Sequence, residues 1–273
     1  MNKLSAWKKP GSMSIVFILL GALILLFIVA PPLKTVFSSS PGTLWNNLLE
    51  KDVYTSVLFT IFAALIATLV GLLFGVPLAY LLARHQFRGK RFLEAIIDVP
   101  IVIPHSAAGV ALLFVFGSNF FFGKILNAIG IGFFRSLTGV VIAMMFVSIP
   151  FLIDSAKEGF KSVDVRLEKV ARTLGASAWT SFFRISLPLA WRSILSGSVL
   201  MWARGLSEFG AIVIIAYTAS FLGFNFKVLP VLIANRFDFG LEYTLPVAAL
   251  GILISLIVFV VLRSIAHRGE KAS

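Results

Sequence analysis

The sequence predicts an all-α, polytopic membrane protein: six transmembrane helices in one domain, 1–273, with both termini in the cytoplasm. Three observations carry this. Of the 273 residues, 59% are hydrophobic and 13% charged, against about 25% charged in soluble domains. The apolar residues come in blocks long enough for a hydrocarbon core about 30 Å thick, which asks for roughly 18 or more in a row. Lysine and arginine are shared unevenly between alternate loops, seventeen on the side of the termini against Lys34, Lys51, Lys124, Arg135, Lys227 and Arg236 on the other. The richer side is the cytoplasmic one.

Taken in order, Met13 to Ala30 is an apolar run preceded by Lys3, Lys8 and Lys9 and closed by Pro31-Pro32. It is too long for the core of a secretory signal, and no small-x-small site precedes the prolines, so it is expected to remain as a first helix over 13–30. Leu33 to Asp52 reads as a polar loop, and the core helices follow over 53–264. The second span is expected over 53–83, a basic loop over 84–91, and a third span over 92–117 with Pro100 and Pro104 inside it. After a Phe- and Gly-rich loop comes a fourth span over 137–153, then a fifth over 195–217, a longer loop over 218–243, and a sixth over 244–262.

The net charge of +12 is explained by this topology. It points to lipid as the partner and gives no support to nucleic acid. Without cysteine there is no disulfide or thiol chemistry. No His-x-x-x-His or Glu-x-x-His spacing suggests a metal site. No G-x-x-x-x-G-K-[ST] loop is present, Arg84 and Ser118 standing where the upstream glycine would be, so the chain is not expected to hydrolyse nucleotide itself.

Two places invite a functional reading. The cytoplasmic loop over 155–192 is the one long polar, basic stretch. Within 163–175, Asp164 is placed to cap a short helix, Val165, Leu167, Val170, Ala171 and Leu174 supply its apolar side, and Gly175 sits where the helix would end left-handed. Ser177 can cap a second helix carrying Trp179, Phe182 and Phe183. Such a knob suits a groove on a partner, and an amphipathic interfacial connector has the same composition. The second place is inside the bundle. Arg204 and Glu208, four apart with Ser207 between them, would share a helix face. Ionisable groups are costly in lipid, so they are candidates for a pathway or gate, or for a structural ion pair. His105, with Asp98 across Pro100 and Pro104, is a smaller candidate at an expected kink. Gly71 and Gly75 form a G-x-x-x-G pair that permits close helix approach, within the chain or between chains.

The loop resembles the EAA loop of ABC importer permeases, whose usual form is E-A-A-x-x-x-G-x9-I-x-L-P. Here Ala171, Gly175 and Ile185-Ser186-Leu187-Pro188 match, whereas Lys169 stands at the usual glutamate position and Glu168 one before it. Further stretches, GVPLAYLLAR (75–84), FRGKRFLEAIIDVPIVIP (87–104), VSIPF (147–151), ARTLGAS (171–177) and ARGLSEFGA (203–211), look like the permeases of molybdate and tungstate importers, relatives of the sulfate and thiosulfate permeases. The resemblance implies the type I importer architecture, two copies around a central pathway, and an extracytoplasmic binding protein. It also implies two cytoplasmic ATPase subunits, carrying ATP and Mg, docked on Glu168, Lys169, Ala171, Arg172, Thr173, Leu174, Gly175 and Ala176. Arg204, Ser207, Glu208 and His105 are the expected pathway or gate residues. An ion-coupled carrier working alone would instead show inverted repeats and acidic residues at broken helices.

Overall fold

The computed structural model describes residues 11–268 and is mostly helical. Helix α1 (Ser12–Phe37) runs straight through Pro31 and Pro32, beyond the expected end at 30. Prolines are tolerated in membrane helices, and α1 closes only where the Ser38 hydroxyl donates to Thr35 O at 2.6 Å. The expected polar loop that follows is helical as well. Ser40 caps α2 (Pro41–Leu49), accepting from Thr43 N, with Pro41 in its first turn. Helix α3 (Lys51–Arg84) is the second span, as expected.

The third span is not one helix. It consists of α4 (Lys90–Val102) and α5 (His105–Phe116), bent by 115° at residues 103–104. Pro104 cannot donate to the ladder and biases Ile103 to extended backbone, ψ 145°, so the chain turns back where a kink was expected. A short α6 (Phe121–Ala128) lies in the expected loop. Helix α7 (Leu137–Ser162) continues the fourth span well past 153.

Beyond it come α8 (Val165–Thr173), α9 (Ala178–Ser181), a π-helical turn (Phe182–Ser186) and α10 (Leu187–Leu206). The expected fifth span breaks after Leu206 and resumes as α11 (Gly210–Ala216), bent by 59°. The outer loop that follows holds a two-stranded hairpin, β1 (Ala219–Phe221) and β2 (Phe224–Phe226), and α12 (Leu229–Phe237). A purely helical fold is therefore corrected to a helical one with a small antiparallel hairpin, Ala219 pairing with Phe226. Helix α13 (Leu241–Arg268) completes the described chain. Among the described residues, four helices are long and apolar enough to cross a membrane, and up to six spans result if each bent pair counts as one.

Helices α3, α7 and α10 pack together at the centre. Their shared core divides in two: Ala63, Ala67, Val140, Met144 and Trp202 toward one end with Ile212 and Ile215 of α11, and Leu82, Leu152, Phe160 and Ile194 toward the other. The G-x-x-x-G pair faces inward. A Cβ at Gly71 would lie 2.7 Å from Met201 Sδ and one at Gly75 3.3 Å from Ile153 Cγ1, so the glycines serve packing within this chain. Hydroxyls inside the bundle add polar contacts between helices: half-buried Ser155 donates to Ser193 O at 2.7 Å across the α7–α10 seam, and buried Thr60 of α3 accepts from Leu229 N at the start of α12, 2.8 Å. Most of α1, α4 and the outward faces of α3 and α13 stay apolar and exposed, as surfaces in contact with lipid should.

Candidate functional site

A helix that leaves the bilayer to present a surface needs capped ends and an anchor. Helix α8 has both. Asp164 Oδ1 accepts from Arg166 N at 2.9 Å, Gly175 takes φ 91° as its left-handed terminator, and Ser177 caps α9 through Thr180 N at 3.1 Å. The apolar residues of α8 and its C-cap are turned outward: Val165, Leu167 and Val170 are about half exposed and Leu174 is 84% exposed. Lys169, Arg172, Thr173 and Gly175 are exposed beside them, and Ala171 and Ala176 are half-buried.

Glu168 points the other way. Its residue is 8% exposed, and donors from two other elements converge on the carboxylate. Tyr80 Oη donates to Oε2 at 2.9 Å; Arg84 Nε (2.7 Å), Arg84 Nη2 (2.6 Å) and Ser186 Oγ (2.7 Å) reach Oε1. Arg84 also donates through Nη1 to Phe160 O at 2.8 Å and through Nη2 to Val163 O at 3.2 Å. Those carbonyls belong to the end of α7, where acceptors are orphaned and a cation is favoured. The Tyr80 ring packs edge-on to Phe160 and Phe182. One carboxylate thus ties α8 to α3 and the π-helical turn, and by way of Arg84 to the end of α7. The expectation that Glu168 belongs to the exposed contact surface is corrected here. A shift of one residue rotates a helical side chain by about 100°, and that rotation carries the acid into the bundle.

Burial alone would raise the Glu168 carboxyl, but the hydrogen bonds from Ser186, Arg84 and Tyr80 and the Arg84 charge outweigh it and hold it below the ordinary value of 4.5. A depressed carboxylate stabilises the folded state fully above its unfolded value, and the contribution disappears as pH falls through the folded value. Thermal unfolding of the wild type is therefore expected to be insensitive to this group near neutrality and to fall below pH 4.5. Glu168→Gln should show a flatter profile over the same acidic window. Parallel profiles for the two would contradict the assignment.

The second site forms where both broken spans come together. Arg204 Nη2 lies 3.1 Å from Glu208 Oε2 and 2.8 Å from His105 Nε2, and Nη1 donates to Ser207 Oγ at 3.2 Å. His105 Nδ1 is 3.4 Å from Glu208 Oε2. Glu208 is 1% exposed and its Oε1 accepts from Ala211 N at 2.9 Å in the first turn of α11. The sequence paired Arg204 and Glu208 on one continuous helix; they do pair, across the end of α10. It missed that His105 joins them from α5, 99 residues away in sequence. The α5–α11 approach is close enough that a Cβ on Gly109 would stand 2.8 Å from Ala211 O and one on Gly210 2.6 Å from His105 Cβ. Asp98, expected near His105, is left on α4 beside Asp154 and Lys157 of α7.

A lipid-facing helical bundle, with charged side chains gathered where two of its helices break and a capped basic knob projecting from it, has the construction of a membrane transport component. Residues 71–270 match the family described as binding-protein-dependent transport system inner membrane component, and the chain belongs to that family. It is 43% identical over 257 residues to a molybdate/tungstate transport system permease protein of Pyrococcus furiosus, covering 93% of this chain and 95% of that one. It is 44% identical over 243 residues to the protein so described in Methanocaldococcus jannaschii, covering 88% and 92%. Its fold matches a chain of a bacterial alginate ABC transporter, crystallised with an alginate-bound periplasmic protein, with a TM-score of 0.72 at 16% identity over 94% of this chain and 95% of that one. The chain is thus a multi-pass permease component of the inner membrane, without ATPase activity of its own.

Proposed function

We propose that two copies of this chain form the pathway of an ATP-driven importer for molybdate or tungstate, with six spans and both termini in the cytoplasm. Two ATPase subunits seat on α8, and an extracytoplasmic binding protein delivers the oxyanion. The substrate half is supported by likeness along nearly the whole chain to permeases of that description. The coupling half is carried by one observation: α8 exposes Val170, with Leu174 at its end, and is fastened through Glu168 to α3 and the π-helical turn, and by way of Arg84 to the end of α7. A partner pushing on that apolar rim moves α9, the π-helical turn and α10 together, because they run on as one helical stretch, 178–206. That stretch ends at the Arg204 cluster. Within the cluster Glu208 offsets the charge of Arg204, so a passing anion meets a weak, partly neutralised cation instead of a trap.

Leu174→Glu tests the coupling half. Leu174 supports nothing inside the chain, so the melting temperature should move by less than about 1 °C, in line with roughly neutral surface changes. Co-purification of the ATPase subunit should fall about tenfold or more. Full retention of the ATPase would overturn the docking surface. Vesicle uptake of tungstate driven by an ion gradient with no ATPase present would overturn the importer class, and uptake of sulfate in place of both metal oxyanions would overturn the substrate.

A further inference from the structure

A cavity lined by Lys90, Arg91 and Lys161 lies at the start of α4. Lys90 opens α4, yet the residue is only 9% exposed and its ammonium makes no ion pair or hydrogen bond among the described residues. The one sealed side-chain polar atom without a partner among them is Asp98 Oδ1, so the Lys90 charge is not sealed: its stem is packed away and its head opens into a cavity of about 420 Å³ that it lines. Arg91 and Lys161 line the same cavity. Glu94 lines it too, 3.5 Å from Lys157 of α7, and Lys161 is offset by Glu158 at 2.8 Å, so Lys90 and Arg91 supply the net positive charge of the cavity. Helix α4 has no side-chain cap and no acid in its first turn, so the positive end of its dipole is not offset there, although Lys90 N is paired with Phe87 O at 3.3 Å.

We propose that this cavity binds the phosphate of an anionic membrane lipid. A buried, unpaired lysine beside an uncapped helix start is suited to a phosphate. The lipid source follows from what flanks it. Phe87 lines the cavity, and Phe92, Ile96 and Val99 continue along α4, each 45% exposed or more. Basic head contacts with an apolar strip behind them are what an interfacial helix offers to a headgroup and its acyl chains. The site would fix α4 in the interface and, through the α4–α7 contact at Glu94 and Lys157, steady the end of α7 from which α8 departs.

The test uses the full chain in mild detergent, with phosphatidylglycerol, phosphatidylcholine, inorganic phosphate and tungstate as separate probes. Native mass spectrometry should find phosphatidylglycerol retained by the wild type and phosphatidylcholine lost. Each charge near an anionic surface strengthens attachment roughly fivefold, so Lys90→Gln with Arg91→Gln should weaken retention about 25-fold. Lys161→Gln, at an exposed position where folding is not at risk, should weaken it by up to about fivefold, less where Glu158 already offsets the charge. Equal retention of the two lipids, or unchanged retention in Lys161→Gln and in the double variant, would overturn the site. Displacement of the lipid by millimolar phosphate or tungstate would overturn the lipid source in favour of a free anion.

Discussion

Glu168→Ala is expected to detach α8 from the bundle. It removes the acceptor from Tyr80, Ser186 and two N–H groups of Arg84, and leaves the Arg84 guanidinium, 7% exposed, with only the α7 carbonyls. Removing one member of a buried pair costs about 3–5 kcal/mol. The loss should appear as a lower thermal midpoint for the isolated chain and, independently, as lost ATPase co-purification. Glu168→Gln should recover only part of either. Every neighbour that reaches the carboxylate arrives as a donor, and an amide has one oxygen to accept with. The Arg84→Ala, Glu168→Ala double variant should lose less than the sum of the two; strict additivity would mean that the two side chains act separately.

The second large effect is expected at Glu208. Glu208→Ala leaves Arg204 without its counter-charge and Ala211 N without its acceptor. Arg204 is 24% exposed, so the loss belongs at the low end of the buried-pair range, about 3 kcal/mol. Arg204→Gln should behave differently, because the acid keeps Ala211 N and His105 as neighbours. Stability should fall by about 1–2 kcal/mol, while uptake by the assembled importer falls at least tenfold. The pair of Gln substitutions together should fold better than Glu208→Gln alone. Wild-type uptake with Arg204→Gln would reduce the cluster to a structural pair.

Local signals were legible and long-range ones were not. Asp164, Gly175 and Ser177 could be placed in the sequence because a cap or a left-handed terminator acts on residues within one turn. Ser40-Pro41 carries the same kind of signal for α2, set in a segment whose composition reads as polar loop. The hairpin at 219–226 gave almost none, since its turn sets Leu222 at φ 52°, a conformation that sequence preferences assign to glycine or asparagine. Pro100 and Pro104 announced a disturbance, but the 115° bend depends on what α5 packs against after the turn. Arg84 lies 84 residues from Glu168, and Arg204 lies 99 from His105. No periodicity within one helix reports them.

The wide turn at Phe182–Ser186, closed by Leu187 N to Phe182 O, holds one residue more than an α-helical turn of the same height. Everything after it is therefore clocked about 100° further round than an unbroken helix would be. The knob and the charged cluster sit at opposite ends of that stretch, so their relative azimuth is written into a single surplus residue. Shortening the turn by one would leave both ends intact and aim them at the wrong neighbours.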